Sequence, residues 1–269
     1  MDWEQMKTEN LFSVKGQVVL ITGAGGLAEC FAEGFAASGA GAVILASRTK
    51  AKGDIIAQRL EEKGCRAECF ALDVADKQQC YEVVRRVAEK YGRLDTLIHT
   101  AAICKLQKTL EDQEEIFREN MDANLMGTLF LNQAAGWEMQ KAGRGSIINI
   151  SSIGGYSVNS PDGVSYSVSK AGLMQLTKWF AADLAPSGVT VNAISPIWVD
   201  TPMMAQRPKD YLRRCIEQVP MGRMSNAEDY LGMALFLASP ASRFVTGQTF
   251  LVDGGWGISR RFTFDPNAD

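Results

Sequence analysis

Tyr166 and Lys170 are the residues whose types and spacing most directly suggest chemistry. Residues four apart lie on the same face of a helix, so the ammonium of Lys170 can sit beside the phenol of Tyr166. A free phenol titrates near ~10, and a neighbouring cation lowers that pKa. The pair is therefore predicted to exchange a proton near neutral pH. The alternative interpretation is two unrelated residues on an exposed helix turn.

Ser152 and Asn124 are polar residues that could join this pair. Ser152 follows the apolar run 146–150, which places its hydroxyl at the carboxyl end of an expected strand, where ligands gather in α/β folds. Asn124 falls inside an expected helix, and its side chain could reach a lysine or a water chain. Taken alone, Asn124 is better explained as a polar residue that bends the helix.

A glycine-rich turn follows the first expected strand. Gly23, Gly25 and Ala28 satisfy the spacing G-x-G-x-x-G/A. Such a turn lets the backbone approach a pyrophosphate, which the amide N–H groups and the positive end of the helix then hold. We predict a dinucleotide site here that includes Gly26 and Leu27, although a purely structural turn also favours glycine.

The end of the second expected strand indicates which dinucleotide is preferred. An acidic residue at this place would bind the ribose hydroxyls of NAD, but the chain has Ser47 and Arg48. A guanidinium can bind a 2′-phosphate, so the sequence favours NADP(H) over NAD(H). The alternative is a solvated arginine at a strand end.

Short apolar runs alternate with longer amphipathic stretches, as in repeated strand–helix units. The apolar runs are nearly continuous, which is typical of strands buried on both faces of a parallel sheet. We therefore predict an α/β fold with a doubly wound, Rossmann-type parallel sheet, helices on both faces, and a single domain over residues 1–269. Two segments that follow strand ends, 153–165 and 197–224, are candidate substrate walls, the second as a lid.

The expected strands cover residues 18–21, 42–46, 69–72, 94–100, 146–150, 189–194 and 249–252. The expected helices cover residues 27–38, 52–63, 76–91, 114–141 and 171–184.

Composition argues against several other classes. The net charge is −3 without a cluster of basic residues, so no nucleic-acid partner is expected. No apolar run approaches the roughly 20 residues that span a bilayer, and the first residues are polar and acidic, so we expect a cytoplasmic protein with no membrane partner. Six scattered cysteines and a single histidine, His99, argue against a metal site.

Together these motifs resemble the short-chain dehydrogenase/reductase family from about residue 12 to residue 257. The family's Asn–Ser–Tyr–Lys tetrad matches at Asn124, Ser152, Tyr166 and Lys170. The resemblance also implies that Asp73 binds the adenine ring. Further cofactor contacts that it implies are Val74, Ala101, Tyr166, Lys170, Pro196, Ile197 and Thr201.

The resemblance implies a role for each tetrad member. Tyr166 would protonate the substrate oxygen in reduction and deprotonate it in oxidation. Ser152 would orient that oxygen, and Lys170 would lower the pKa of the tyrosine and bind the nicotinamide ribose. Asn124 would anchor a water that connects Lys170 to bulk solvent. The cofactor carries the hydride chemistry, and the protein supplies geometry and charge.

The sequence departs from the family pattern in its turns. The family's glycine turn, T-G-x-x-x-G-x-G, is one residue shorter here and has Ala28 at its last glycine. The next residue, Glu29, suits the helix dipole but would repel a pyrophosphate if it faced inward. His99 begins a sequence that replaces the usual N-N-A-G, and we expect it to be a structural hydrogen-bonder beneath the cofactor.

A narrower resemblance, through residues 9–16 and 195–202, is to sugar, polyol and gluconate dehydrogenases. It implies a secondary alcohol or ketone of that class as the small-molecule substrate. A ketoacyl-thioester reductase, a xenobiotic ketone reductase and a non-catalytic cofactor-binding regulatory protein remain open. Because the family usually associates, and the helices 114–141 and 171–184 have apolar faces, we expect a homodimer or homotetramer.

Overall fold

A parallel sheet forms the centre of the fold. The computed structural model describes residues 3–160, 162–201 and 204–258, and within them seven strands pair side by side in parallel. The strands are β1 (Val18–Thr22), β2 (Ala42–Ser47), β3 (Arg66–Ala71), β4 (Thr96–His99), β5 (Gly145–Ile150), β6 (Val189–Pro196) and β7 (Thr249–Val252). Every residue of β1 is buried, as expected for a strand covered on both faces.

The strand order is β3–β2–β1–β4–β5–β6–β7, so the chain builds outward from β1 to β3 and then crosses back to β4. Ligands of such sheets bind beyond the carboxyl ends of the strands, where the order reverses. The residues at those ends are Thr22 on β1, His99 on β4 and Ile150 on β5. The topology therefore brings the regions predicted to bind cofactor and substrate to one edge.

Helices cover both faces of the sheet. They are α1 (Trp3–Met6), α2 (Thr8–Leu11), α3 (Leu27–Ala37), α4 (Lys50–Glu62), α5 (Lys77–Tyr91), α6 (Glu114–Met121), α7 (Gly127–Ala142), α8 (Val164–Leu184), α9 (Lys209–Glu217) and α10 (Glu228–Ala238). One face packs against α5, α7 and α8, and the other packs against α3, α4 and α10. This confirms the predicted doubly wound α/β fold.

Several boundaries differ from the sequence-based expectation. The third strand, of which 69–72 was the expected end, spans Arg66–Ala71 and so ends one residue before the expected position. The helix expected from residue 171 begins at Val164, so Tyr166 and Lys170 both lie inside it. The expected helix 114–141 is interrupted by one π-helical turn, Asp122–Met126. Within 197–224, of which 202 and 203 lie outside the described residues, the structure contains α9.

Candidate active site

Tyr166 and Lys170 lie one turn apart near the start of α8. The ammonium nitrogen (Nζ) of Lys170 is 5.8 Å from the centre of the Tyr166 ring. It donates a hydrogen bond of 2.8 Å to the carbonyl oxygen of Ile150, the last residue of β5. The structure therefore brings the predicted pair together at the carboxyl edge of the sheet.

Burial dominates the titration of both groups. It raises the pKa of the Tyr166 phenol well above its ordinary value, and a charge on the nearby Cys104 thiol adds to the rise. Burial also lowers the pKa of Lys170 to about 8, because the ammonium loses water. Desolvation thus outweighs the hydrogen bond to Ser152, and the lowering of the phenol pKa that we expect from Lys170 stays a prediction.

Ser152 reaches the phenol from the loop after β5. Its hydrogen bond to Tyr166 opposes the rise in the phenol pKa, because it stabilises the ionised form. The serine backbone is extended, and its hydroxyl oxygen accepts a hydrogen bond of 3.1 Å from the Gly154 amide. The hydroxyl is thus held at the strand end, beside the phenol, as the tetrad resemblance predicts.

Asn124 lies in the π-helical turn and is completely buried. Its side chain accepts a hydrogen bond from the Ile103 amide and donates to the Ile103 carbonyl, both at 2.9 Å. It also donates to the Ser169 hydroxyl oxygen at 3.1 Å. The side chain is therefore engaged with Ile103 and Ser169, and a water link to Lys170 has to start from the backbone carbonyl of Asn124.

That backbone carbonyl already has one partner, because it accepts a hydrogen bond of 2.7 Å from the Thr128 hydroxyl. The expected water relay through Asn124 stays a prediction.

His99 connects the ends of β1 and β4. Its Nδ1 atom lies 2.8 Å from the Thr22 hydroxyl oxygen, which also accepts hydrogen bonds from the Thr100 and Ala101 amides. Burial and, to a smaller extent, the charge of Lys170 lower the pKa of His99 to about 3. The ring is therefore neutral, and its Nδ1 atom accepts a hydrogen bond from the Thr22 hydroxyl group. This is the structural hydrogen bond that the sequence led us to expect.

The glycine turn forms an open cradle at the start of α3. Gly23 and Gly26 have φ angles of 100° and 52°, which side-chain-bearing residues rarely adopt. A side-chain carbon on Gly23 would lie 2.8 Å from the Thr100 hydroxyl, so the backbone is closely packed there. The N-cap of α3, Gly26, provides no side-chain cap, and the amides of the first turn can hold an anion.

The remaining members of this turn frame the cradle. Gly25 and Leu27 flank Gly26, and Leu27 is the first residue of α3. A side-chain carbon on Gly26 would lie 3.9 Å from a methyl group of Thr201, so the predicted clamping threonine faces the turn across the crevice. These residues fit a dinucleotide pyrophosphate.

Glu29 lies in the first turn of α3, beside this cradle. Its carboxylate pairs with Arg59 of α4, which also lies 3.5 Å from Glu33. The arginine thus neutralises the carboxylate that would otherwise repel a pyrophosphate. The short glycine turn therefore keeps an electropositive helix end.

The residues predicted to bind the adenosine end lie beyond β2 and β3. Ser47 ends β2, and Arg48 is exposed just after it. Asp73 is half-buried, and its carboxylate accepts a hydrogen bond of 3.0 Å from the Ala75 amide. Val74 is buried against the first residue of α7, Gly127.

The residues predicted to lie near the nicotinamide follow β4 and β6. Ala101 is anchored through its amide to Thr22, whereas Pro196 and Ile197 are buried at the end of β6. Ile197 packs with Ile153 and Val219 in a small apolar cluster that borders the site. All the predicted site residues are therefore described, and they line the same edge of the sheet.

Cys104 is a site residue that the sequence reasoning missed, because the six cysteines were taken to fill space. It is the exposed one of them, and it follows β4 by five residues. Burial among the surrounding protein atoms raises the pKa of its thiol, and the charge of Lys170 opposes the rise. The sequence signal that could have identified Cys104 is its position shortly after the end of a strand.

Other features of the described chain lie outside this site. Two surface cavities, of about 690 and 520 Å³, run along β3 and between α5 and α7. In the part of the chain that the structure describes, no three acidic, histidine or cysteine side chains are grouped so as to hold a metal. Over the same residues, no helix combines the length and apolar character needed to cross a membrane.

Comparison with known proteins defines the class. A family profile described as enoyl-(acyl carrier protein) reductase matches residues 23–257. The chain is 35% identical over 243 residues to 3-oxoacyl-[acyl-carrier-protein] reductase FabG of Thermotoga maritima, covering 90% of this chain and 98% of that protein. The chain belongs to the short-chain dehydrogenase/reductase family, and it is an oxidoreductase acting on CH–OH groups.

Two further relatives handle sugars or their derivatives by name. Galactitol 2-dehydrogenase (L-tagatose-forming) of Cereibacter sphaeroides is 36% identical over 260 residues. The match covers 94% of this chain and 100% of that protein. The crystal structure of a gluconate 5-dehydrogenase from Burkholderia cenocepacia, in complex with NADP and tartrate, superimposes with a TM-score of 0.88 at 29% identity. That match covers 93% of this chain and 99% of the other.

Proposed function

We propose that this protein interconverts a secondary alcohol and a ketone with NADP(H), on a sugar, a polyol or a related small carbonyl compound. The observation that carries the proposal is the meeting of Ser152, Tyr166 and Lys170 beside an uncapped helix end that can hold a pyrophosphate. The named activities of the galactitol and gluconate relatives support the substrate class.

The chain's own residues handle the proton. The nicotinamide, when bound, supplies or accepts the hydride. Tyr166 donates its phenolic proton to the substrate oxygen in reduction and removes it in oxidation, while Ser152 hydrogen-bonds the same oxygen. The buried ammonium of Lys170 stabilises the ionised phenol and binds the nicotinamide ribose. Asn124 holds the water that links the lysine to solvent.

The mouth of the site supports a polar substrate. Asp162 and Arg207 both influence the titration of the exposed Cys104 thiol, which in turn influences Tyr166. A carboxylate and a guanidinium on the Cys104 side of the site can hydrogen-bond substrate hydroxyls. They would make a long apolar chain less favourable there, because its burial would desolvate them.

Cofactor preference rests on Arg48. The guanidinium stands exposed after β2, without an ion pair to a carboxylate in the described ranges, and is free to meet a 2′-phosphate. We expect Arg48→Ala to weaken NADPH binding by roughly tenfold, the loss of one charge-assisted contact, and to leave NADH binding unchanged. Fluorescence titration of both cofactors measures this. Equal binding of the two cofactors by the unaltered protein would contradict the preference.

The substrate class is tested by assaying polyols, sugars and aldonates with NADP⁺ and NAD⁺, and ketoacyl thioesters with NADPH and NADH. Turnover of a polyol or aldonate is the expected result. A second candidate, ketoacyl-thioester reduction, is favoured by the FabG relatives. Turnover of the thioester alone would select that candidate. Xenobiotic ketones are a third arm of the same assay.

Three accompanying properties belong to the proposal. Residues 197–224 are proposed to form a lid over the substrate, with α9 as its helical part. The protein is proposed to assemble as a homodimer or homotetramer through α7 and α8. Cytoplasmic residence stays a prediction from composition.

A further inference from the structure

Asn120, one turn before the tetrad asparagine, repeats its hydrogen bonds on neighbouring residues. It is completely buried in α6. Its side-chain nitrogen donates to the Lys105 carbonyl at 2.9 Å, and its side-chain oxygen accepts from the Lys105 amide at 3.3 Å. The same nitrogen donates to the Ser165 hydroxyl oxygen at 2.8 Å.

The two asparagines form a matched pair of clamps. Asn124 binds Ile103 and Ser169, and Asn120 binds Lys105 and Ser165, so the partners are shifted by two residues on the loop and by four on α8. A shift of two residues is the repeat of an extended chain, and a shift of four is one helical turn. The segment 103–105 is therefore held extended against the first turn of α8.

Tyr166 lies between the two serines on α8, and Cys104 lies between the two clamped residues of the loop. Each therefore lies between two residues that are hydrogen-bonded to buried asparagines. A third tie lies nearby, where the Gly163 amide donates to the Gln107 carbonyl at 2.9 Å. The backbone N–H and C=O groups of successive residues in an extended chain face opposite edges, so those of Cys104 face away from the asparagines.

We propose that Asn120 and Ser165 are positioning residues for the reaction, which fix the Tyr166 turn of α8 relative to the substrate-side wall 103–105. Proton transfer needs the phenol within hydrogen-bond reach of the substrate oxygen. A displacement of about 1 Å costs on the order of 100-fold in rate. The hydrogen bonds of Asn124 attach only the Ser169 end of this helical turn to the segment 103–105. Those of Asn120 attach the Ser165 end.

The kinetic arm of the test rests on the proposed function. Asn120→Leu keeps the branched shape of the side chain and removes all three hydrogen bonds, and Ser165→Ala removes one. Both are expected to lower kcat by about tenfold or more while the KM for NADPH is unchanged. Ser165→Thr keeps the hydroxyl and should restore wild-type kcat. The matched control is Thr177→Val, because Thr177 is also buried in α8 and accepts a hydrogen bond of 3.1 Å from Asn149.

A second arm needs no substrate. Cys104 is the exposed cysteine, so its alkylation by iodoacetamide, followed by mass spectrometry, reports the freedom of segment 103–105. We expect several-fold faster alkylation in Asn120→Leu and Ser165→Ala, and the wild-type rate in Thr177→Val. Wild-type alkylation rates in the two clamp variants, or an equal fall of kcat in the Thr177 control, would overturn the inference. If the unaltered protein turned over no substrate, the proposed function would fail while the alkylation test still stood.

Discussion

Tyr166 is the residue on which the proposed proton transfer depends. Replacing it with phenylalanine removes the hydroxyl and keeps the ring, so we expect the fold and NADPH affinity to persist. Turnover should fall by roughly 10²–10⁴-fold, the usual worth of a general acid–base group. Tyr81→Phe is the matched control, since the Tyr81 hydroxyl bonds Gln133 on α7, away from the site. Steady-state assays beside a cofactor titration measure both effects, and unchanged turnover would reject the role of Tyr166.

The buried His99 makes the free energy of unfolding depend on pH in the acidic range. Its folded-state pKa of about 3 lies below the ordinary value of 6.5, so the unfolded chain binds more protons between these values. The contribution of His99 to the free energy of unfolding is therefore fully present above pH 6.5 and is lost as the pH drops toward 3. One proton gives a slope of up to about 1.4 kcal/mol per pH unit.

His99→Asn can still accept a hydrogen bond from Thr22 but cannot be protonated in this range. Urea unfolding at a series of pH values should therefore show a smaller loss of stability on acidification for the variant. His99 is the single histidine of the chain, so no other imidazole can account for the difference. Parallel pH profiles of the two proteins would contradict a neutral, buried His99.

At this scale, residues whose chemistry is local could be predicted from the sequence. Tyr166 and Lys170 are four apart on one helix, so local spacing was enough to pair them. The structural role of His99 was expected from the family resemblance, whereas its partner Thr22, on another strand, was not predicted. Asn120 was missed because a polar residue on an amphipathic helix is usually solvated. Its burial depends on the segment 103–105, which comes from another part of the chain.

At the scale of elements, the cofactor cradle depends on the contact of α3 with α4. Arg59→Met should leave the Glu29 carboxylate unneutralised in the first turn of α3, where it repels a pyrophosphate. We expect NADPH affinity to fall several-fold at low salt and less at high salt, because ions screen the repulsion. The double variant Arg59→Met, Glu29→Gln should bind NADPH as the unaltered protein does.

Arg85→Met is the control for that experiment, since Arg85 makes exposed ion pairs on α5 with Glu82 and Glu89. Fluorescence titration at low and high salt separates the outcomes. If the Arg59 variant lost no affinity, or if the double variant did not recover it, Glu29 would have no influence on the pyrophosphate site.

Elements buried on both faces were easier to predict than those at edges. β1 is buried throughout and was found almost to the residue, whereas the start of the edge strand β3, at exposed Arg66, was placed only between Cys65 and Cys69. α9 has a large polar face, and the π-helical turn at Asn124 differs from an α-helix only in its hydrogen bonding. Such features depend on packing that a local pattern does not contain.

At the scale of the whole molecule, exposed aromatic residues on neighbouring helices support self-association. Trp137 on α7 is 54% exposed and Trp179 on α8 is 70% exposed. A tryptophan buries on the order of 150–250 Å² in an interface, and such residues often dominate binding. Leaving both indoles in water loses this stabilisation, so a face formed by α7 and α8 is the surface we propose for assembly.

Trp179→Glu should therefore shift the protein to a smaller assembly in light scattering coupled to size-exclusion chromatography, because a buried carboxylate without a partner opposes association. Ile55→Glu is the matched control: Ile55 is 62% exposed on α4, on the opposite face of the sheet, and its replacement should leave the mass unchanged. Since Trp179 is already exposed in the single chain, the variant should fold, and circular dichroism can verify this. A monomeric mass for the unaltered protein, or an unchanged mass for Trp179→Glu, would show that these helices do not form the interface.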